Sequence, residues 1–210
     1  MTDELLFRIA VVGLWTVFLA NLAWTRYLAR VSVSQRVARH ASWSELLALT
    51  LAVPYFGGTV LYSLDPISIA FLQMAVPEWF RIVMLGVAVV SVSFSVWGLR
   101  VLGRNWAPSM TGVRQDTTLV TNGPYRIVRN PIYSGILVSL PSLALVVANW
   151  LIFLPAVLLC AMLYVYVADE ENTLIDHFGE AYREYMKRTP SLIPGLRRAR
   201  APPSTDESTS

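Results

Sequence analysis

An all-α integral membrane protein is predicted by three features of this 210-residue sequence. Hydrophobic residues make up 55% of it and charged residues only 15%, against about 25% charged in soluble domains. Several apolar runs reach the roughly 20 residues that a helix needs to cross a bilayer. The arginines cluster in particular loops, the asymmetry that sets orientation in a membrane.

The elements follow in order. Leu5–Trp24 forms a first span, with Arg8 close enough to its end to snorkel. The start Met1-Thr2-Asp3-Glu4 is acidic and no small-residue cleavage site follows. The run therefore reads as a retained span rather than a removed signal. Leu46–Leu64 is a second span, where Pro54 and Gly57-Gly58 point to a kink or close packing. Trp79–Leu99 is a third. Ile132–Val167 is too long for one span, and Asn149-Trp150 is its best break, so it reads as a hairpin of two. Five transmembrane helices result.

Sidedness follows from the basic residues. Arg26, Arg30, Arg36 and Arg39 follow span one, and Arg100, Arg104, Arg114, Arg126 and Arg129 follow span three. Lys187, Arg188, Arg197, Arg198 and Arg200 lie beyond span five, whereas Asp3, Glu4, Asp65 and Glu78 fall on the opposite side. The positive-inside rule then gives an outside N-terminus and a cytoplasmic C-terminus. Residues 1–99 form an N-terminal three-span region and residues 100–196 a region built around the hairpin. Residues 197–210 are a polar tail expected to be disordered. The short turn of the hairpin brings residues 100–131 and 168–196 side by side on the cytoplasmic face, where they build a pocket.

Composition also excludes. The single cysteine, Cys160, rules out a disulfide within the chain. His40 and His177 have no paired ligand spacing, so no metal site is expected. No basic strip interleaved with aromatics suggests nucleic acid. There is no glycine-rich nucleotide fingerprint and no Ser/His/Asp set.

Two motifs carry the chemistry. The first is Gly123-Pro124-Tyr125-Arg126-Ile127-Val128-Arg129-Asn130-Pro131-Ile132-Tyr133-Ser134-Gly135. Asn130-Pro131 is a strong helix start, since Asn is a preferred N-cap and Pro is favoured at the first helical position. Its free N–H groups and positive dipole end, with Arg126 and Arg129 beside them, suit a carboxylate or phosphate. The second motif is Glu170-Glu171 followed by Phe178-Gly179, Tyr182 and Tyr185. Read as one helix from Glu170 to Met186, it has an apolar stripe of Leu174, Phe178, Ala181, Tyr182 and Tyr185. At about 100° per residue Glu171 falls near the middle of that stripe, Glu170 toward its edge, and Asp169 away from it. A carboxylate on an apolar face is costly without a partner. Glu171 is thus either a functional carboxylate or the ion-pair partner of Arg126 or Arg129.

Together these motifs resemble the isoprenylcysteine carboxyl methyltransferase and phospholipid methyltransferase superfamily of integral membrane enzymes. Its pattern is Gly-Pro-Tyr-Arg-x-x-Arg-His-Pro-x-Tyr-x-Gly, an apolar hairpin, then Glu-Glu, Phe-Gly, two tyrosines three apart and a Pro, here Pro194. Leu102 to Trp106 and Leu119-Val120-Thr121 also look like the family, and the resemblance covers residues 100–195. It implies methyl transfer from S-adenosylmethionine to a hydrophobic or lipidated acceptor, either isoprenylcysteine-like or lipid-headgroup-like. Glu171 and Arg129 are then the expected catalytic residues. Tyr125, Arg126, Asn130, Pro131, Tyr133, Glu170, Tyr182 and Tyr185 are the expected cofactor-binding residues. The short loops and scarce extramembrane mass look bacterial, which makes the bacterial inner membrane the expected location, with the site on the cytoplasmic side; the oligomeric state is left open. Two positions depart from the pattern. The family His is Asn130, which can cap a helix and donate a hydrogen bond but not titrate. An Arg usual after the later Pro is Ser191 after Pro190, its contact either lost or taken over by Arg188. The competing readings are an NADPH-dependent membrane reductase of the sterol reductase type and a non-enzymatic scaffold.

Overall fold

The computed structural model describes residues 2–29, 43–105 and 118–195. The tail 197–210, Trp106, Arg114, His40 and Arg30, Arg36 and Arg39 lie outside the described residues. Six helices carry the fold: α1 (Thr2–Ala29), α2 (Trp43–Leu64), α3 (Glu78–Leu102), α4 (Pro131–Val147), α5 (Trp150–Phe178) and α6 (Glu180–Arg188). Three of them contain stretches long and apolar enough to cross a membrane, namely Glu4–Thr25, Glu78–Leu102 and Trp150–Phe178. The chain is an all-helical integral membrane protein.

Close packing of α3 on α4 is built from small residues. A Cβ on Gly135 would overlap the hydroxyl of Ser95 and the backbone oxygen of Ser91, so only glycine lets the two helices approach this far. Ser95 Oγ donates to Ile132 O at 2.9 Å, and a Cβ on Gly98 would lie 3.2 Å from the Pro131 ring. Small residues at such crossings let dispersion do the packing where lipid offers no hydrophobic drive. The start of α4, which carries the first motif, is therefore held rigidly against the end of α3. On the other flank, Gly58 of α2 meets the Ile152 side chain of α5. This is the close packing foreshadowed by Gly57-Gly58, and α2 continues through Pro54.

The hairpin breaks where the sequence predicts. Ala148 closes α4 in the left-handed region (φ 56°), and Asn149 caps α5 by accepting from Leu151 N at 2.9 Å. Asn149 Nδ2 also donates to Ile69 O at 2.7 Å, pinning the 3₁₀ segment Pro66–Leu72 to the turn. Two arginines on this face bond to the ends of neighbouring helices. Half-buried Arg8 reaches to the end of α2, donating to Ser63 O (2.8 Å) and Leu64 O (3.0 Å), carbonyls that the helix end leaves unpaired. Arg81, which the loop count passes over, pairs with Glu4 (3.0 Å) and donates to Val146 O (2.7 Å) and Tyr62 Oη (3.0 Å).

One element departs from its expected form. The run Glu170–Met186 is not one helix. α5 continues unbroken for 29 residues to Phe178, then Gly179 (φ 56°) turns the chain into α6. At 1.5 Å per residue α5 is about 44 Å long, more than the roughly 30 Å hydrocarbon core. The helix is thus longer than one crossing requires, with Glu170 and Glu171 in its last turns. Because of the break, Ala181 is exposed while Tyr182 and Tyr185 fold inward.

Candidate functional site

The first motif enters as a 3₁₀ turn, Gly123–Arg126, that buries Pro124 and Tyr125, and continues through Arg129 and Asn130 into α4. The segment after α6 runs alongside it. Arg129 N donates to Pro190 O (2.8 Å), Asn130 N to Ser191 O (3.0 Å), and Ser134 Oγ to Leu192 O (2.7 Å). Three stretches far apart in sequence meet here: residues 123–134, the end of α5, and residues 182–192.

At their junction lies a buried polar knot. Glu171 is 4% and Arg129 7% exposed. Arg129 forks onto both carboxylate oxygens, Nε to Oε1 at 3.1 Å and Nη2 to Oε2 at 2.9 Å. Asn130 Nδ2 (2.7 Å) and Ser191 Oγ (2.6 Å) also donate to Glu171 Oε1. The remaining Arg129 nitrogen, Nη1, donates to Thr189 O and to Met186 O. Such bidentate, charge-assisted bonds are the strong ones, and the carboxylate accepts from four donor atoms in all. Of the partners the sequence offers Glu171, the structure selects Arg129. Arg126 is exposed and takes no part.

Beside the knot opens a cavity of about 310 Å³, within the size range of small-molecule sites. Arg129, Asn130, Pro131, Tyr133, Glu170, Tyr125, Tyr182 and Tyr185 all line it. Eight of the ten expected site residues thus share one wall. Glu171 stands behind that wall, and Arg126 lies off it. The rest of the lining is mostly apolar, with Phe18 and Leu22 from α1, Leu99 and Leu102 from α3, and Leu174 and Phe178 from α5.

Tyr182 is 2% exposed and lies on the cavity wall; its hydroxyl makes no hydrogen bond of good geometry within the protein, with the Arg129 guanidinium beside it. A buried hydroxyl without a good hydrogen bond is expensive, so a polar ligand group is the natural complement. Burial first, and the Glu171 charge second, push its phenol above the ordinary tyrosine range. The group is therefore a neutral donor at physiological pH. Tyr185 donates its hydroxyl to Tyr125 O, closing the wall between α6 and the 3₁₀ turn.

Two expectations about the departing residues change. Asn130 occupies the N-cap position of α4, yet its side chain makes no capping bond; Glu171 has drawn its amide away. Arg188 does not replace the missing arginine contact, because it sits on the surface paired with Glu184 at 2.9 Å. Ser191 fills that place with a hydroxyl. Sequence reasoning did not assign Ser191 to the site, although its departure from the family pattern was the available signal. Among the described residues no group of three or more His, Cys, Asp or Glu side chains could hold a metal.

Residues 79–181 match the phospholipid methyltransferase family. The chain is 28% identical over 175 residues to methanethiol S-methyltransferase 1 of Bradyrhizobium diazoefficiens, covering 83% of this chain and 59% of that protein. It is also 28% identical over 118 residues to the cobalt-zinc-cadmium resistance protein CzcN of Cupriavidus metallidurans, covering 56% of this chain and 52% of that one. The chain thus spans little more than half the length of these curated relatives. Its fold is similar to the solved structure of the eukaryotic intramembrane Ras methyltransferase, isoprenylcysteine carboxyl methyltransferase. That match has a TM-score of 0.58 at 19% identity, over 91% of this chain and 68% of the other.

Proposed function

We propose, on the premise that this chain belongs to the phospholipid methyltransferase family through residues 79–181, that it is an integral membrane methyltransferase. It uses S-adenosylmethionine and acts on a hydrophobic acceptor. One observation carries the reading: the cavity joins a polar wall made by the two motifs to an apolar wall made by α1, α3 and α5. That division suits a polar cofactor and a lipophilic partner.

The residues present fit the cofactor. Tyr182 offers a buried hydroxyl that makes no hydrogen bond of good geometry within the protein. Arg129 has five N–H groups, four of them committed to Glu171, Met186 and Thr189. It can offer the fifth to a carboxylate, together with the first-turn N–H of Ile132 at the α4 N-terminus. Glu170 is assigned to an ammonium or ribose hydroxyl, with Tyr125, Pro131, Tyr133 and Tyr185 shaping the wall. Arg126 is assigned to lipid headgroups. When bound, the cofactor supplies a methyl group on a sulfonium centre, which needs no metal. The protein contributes placement and exclusion of water. In this scheme Arg129 touches ligand, and Glu171 positions Arg129 and Asn130.

The acceptor enters laterally past α1, through the wall of Phe18 and Leu22. The relatives' names point to two acceptor classes, small thiols and isoprenylcysteine carboxylates, and both are hydrophobic. Five spans, an outside N-terminus and a cytoplasmic site complete the reading, with residues 1–99 as support and 100–196 as the catalytic region. The pairing of Arg81 with Glu4 supports this orientation, because it neutralises an arginine on the outer face. The bacterial inner membrane is the assigned location.

The test is calorimetric binding of S-adenosylmethionine and S-adenosylhomocysteine to detergent-purified protein, with NADPH in parallel. Binding of the sulfur cofactors alone is expected. NADPH binding alone would move the chain to the reductases, and no binding by folded protein would leave a scaffold.

A further inference from the structure

The two positions that depart from the family pattern, 130 and 191, are far apart in sequence and in contact in space. Asn130 Nδ2 lies 3.2 Å from Ser191 Oγ, and both side chains donate to the same oxygen, Glu171 Oε1, at 2.7 and 2.6 Å. All three residues are buried. Only Asn130 of the three lines the cavity.

This arrangement fixes the amide. A carboxamide nitrogen has two N–H donors and no acceptor capacity, and its orientation is read from its partners. Glu171 Oε1 takes one donor, and Ser191, through Oγ and more weakly through its backbone oxygen at 3.5 Å, takes the other. A flipped amide would set oxygen against the Glu171 carboxylate, two acceptors at hydrogen-bond distance. Asn130 Oδ1 is thereby held on the side of the amide away from the knot, on a residue that forms part of the cavity wall.

We infer that Ser191 is a positioning residue: it aims Oδ1 of Asn130, a residue already expected at the cofactor, toward an N–H or O–H group of the bound methyl donor. The inference rests on the methyltransferase reading. Ser191 acts from behind the wall. Its hydroxyl hydrogen is spent on Glu171, leaving its oxygen to accept from Asn130, so the hydroxyl bridges carboxylate and amide. Without it, one amide N–H keeps only the long contact to Ser191 O and the carboxylate loses one of four donors. The amide can then rotate away from the ligand-binding orientation. Arg129, held independently by both Glu171 oxygens and by Thr189 O and Met186 O, keeps its place.

The experiment is S-adenosylhomocysteine binding by calorimetry on detergent-purified full-length protein, paired with thermal unfolding. Wild type comes first: folded protein that binds no S-adenosylhomocysteine refutes the methyltransferase reading itself. With binding established, Ser191→Ala is expected to weaken affinity about tenfold, the equivalent of about 1.4 kcal/mol. Asn130→Ala is expected to weaken it tenfold or more. The double variant should be no weaker than Asn130→Ala alone, because Ser191 works through Asn130. Ser191→Thr, which restores a hydroxyl, should recover affinity to within about threefold of wild type, a rescue that loss of packing alone does not predict. If Ser191→Ala fails to fold, Ser191→Cys takes its place with the same expected loss, since a thiol keeps the volume but is a weak donor. Unchanged affinity in the folded Ser191 variant, additive losses in the double variant, or no rescue by threonine would each overturn the inference.

Discussion

Replacing Glu171 with glutamine changes one oxygen for an NH₂ and removes a charge. In the native knot both oxygens accept, Oε1 from Arg129 Nε, Asn130 Nδ2 and Ser191 Oγ, and Oε2 from Arg129 Nη2. A glutamine nitrogen at Oε1 would face three donors, and at Oε2 it would face the guanidinium. Either orientation sets donor against donor and leaves a buried Arg129 cation without its counter-charge. Both side chains of the pair are 5% exposed, so solvent cannot make up the loss. Removing one partner of a buried pair costs about 3–5 kcal/mol. For a chain of this size each kcal/mol moves the midpoint by roughly 2–4 °C, which gives a fall of roughly 6–20 °C. Thermal unfolding in a single detergent, followed by circular dichroism or scanning fluorimetry, reads it. Glu171→Gln unfolding within about 1 °C of wild type would refute the claim that this carboxylate holds the junction together. The sequence left Glu171 as either a functional carboxylate or the ion-pair partner of Arg126 or Arg129; the geometry selects the pair with Arg129.

Tyr182→Phe removes a hydroxyl that makes no hydrogen bond of good geometry within the protein, so the midpoint should change little; S-adenosylhomocysteine affinity measured on the same sample should fall by several-fold. Gly135→Ala forces a methyl into Ser95 Oγ and the backbone of Ser91, and overpacking of about 1–3 kcal/mol should appear as a lower midpoint. Ser95→Ala should not rescue it, because the Ser91 carbonyl remains. Arg81→Leu abolishes bonds to Glu4, Val146 O and Tyr62 at about 1.5–3 kcal/mol for a charged donor. It should lower the midpoint in detergent yet leave cofactor affinity unchanged, since the cluster lies at the opposite end of the helices. Burial raises the phenols of Tyr125, Tyr182 and Tyr185. Their contribution to stability is complete below the ordinary tyrosine value of about 10 and is lost as pH rises above it. A pH-midpoint profile should therefore be flat through neutrality and fall in strong alkali, less steeply in Tyr185→Phe.

Much of this molecule was legible in one dimension because apolar length, turn chemistry and helix starts are local properties. The three long helices, the hairpin break at Asn149 and the entry to α4 at Pro131 follow from hydropathy, from the capping preference of Asn and from the fixed φ of Pro. The angular position of Glu171 on its helix was enough to mark it as a carboxylate in need of a partner. Which partner it takes was not available, because Arg126 and Arg129 are three residues apart and differ only in the direction their segment turns after a 3₁₀ bend. The break at Gly179 was equally hidden: an amphipathic stripe reads the same whether the helix continues or folds back. Only a positive φ at one glycine brings Tyr182 over the cavity. Tertiary packing also redirected two residues whose local roles seemed settled. Asn130 holds the N-cap position but turns its amide to a carboxylate 41 residues away, because the charge-assisted bond from Nδ2 fixes the amide in an orientation in which Oδ1 does not accept a first-turn N–H. Ser191 looked like a lost contact until residues 189–192 were seen to run beside residues 129–134 and bring its hydroxyl to that same oxygen. The sequence determined which elements exist and that the two polar motifs flank one helical hairpin. The long-range hydrogen bonds decided which side chains face a ligand and which hold them in place.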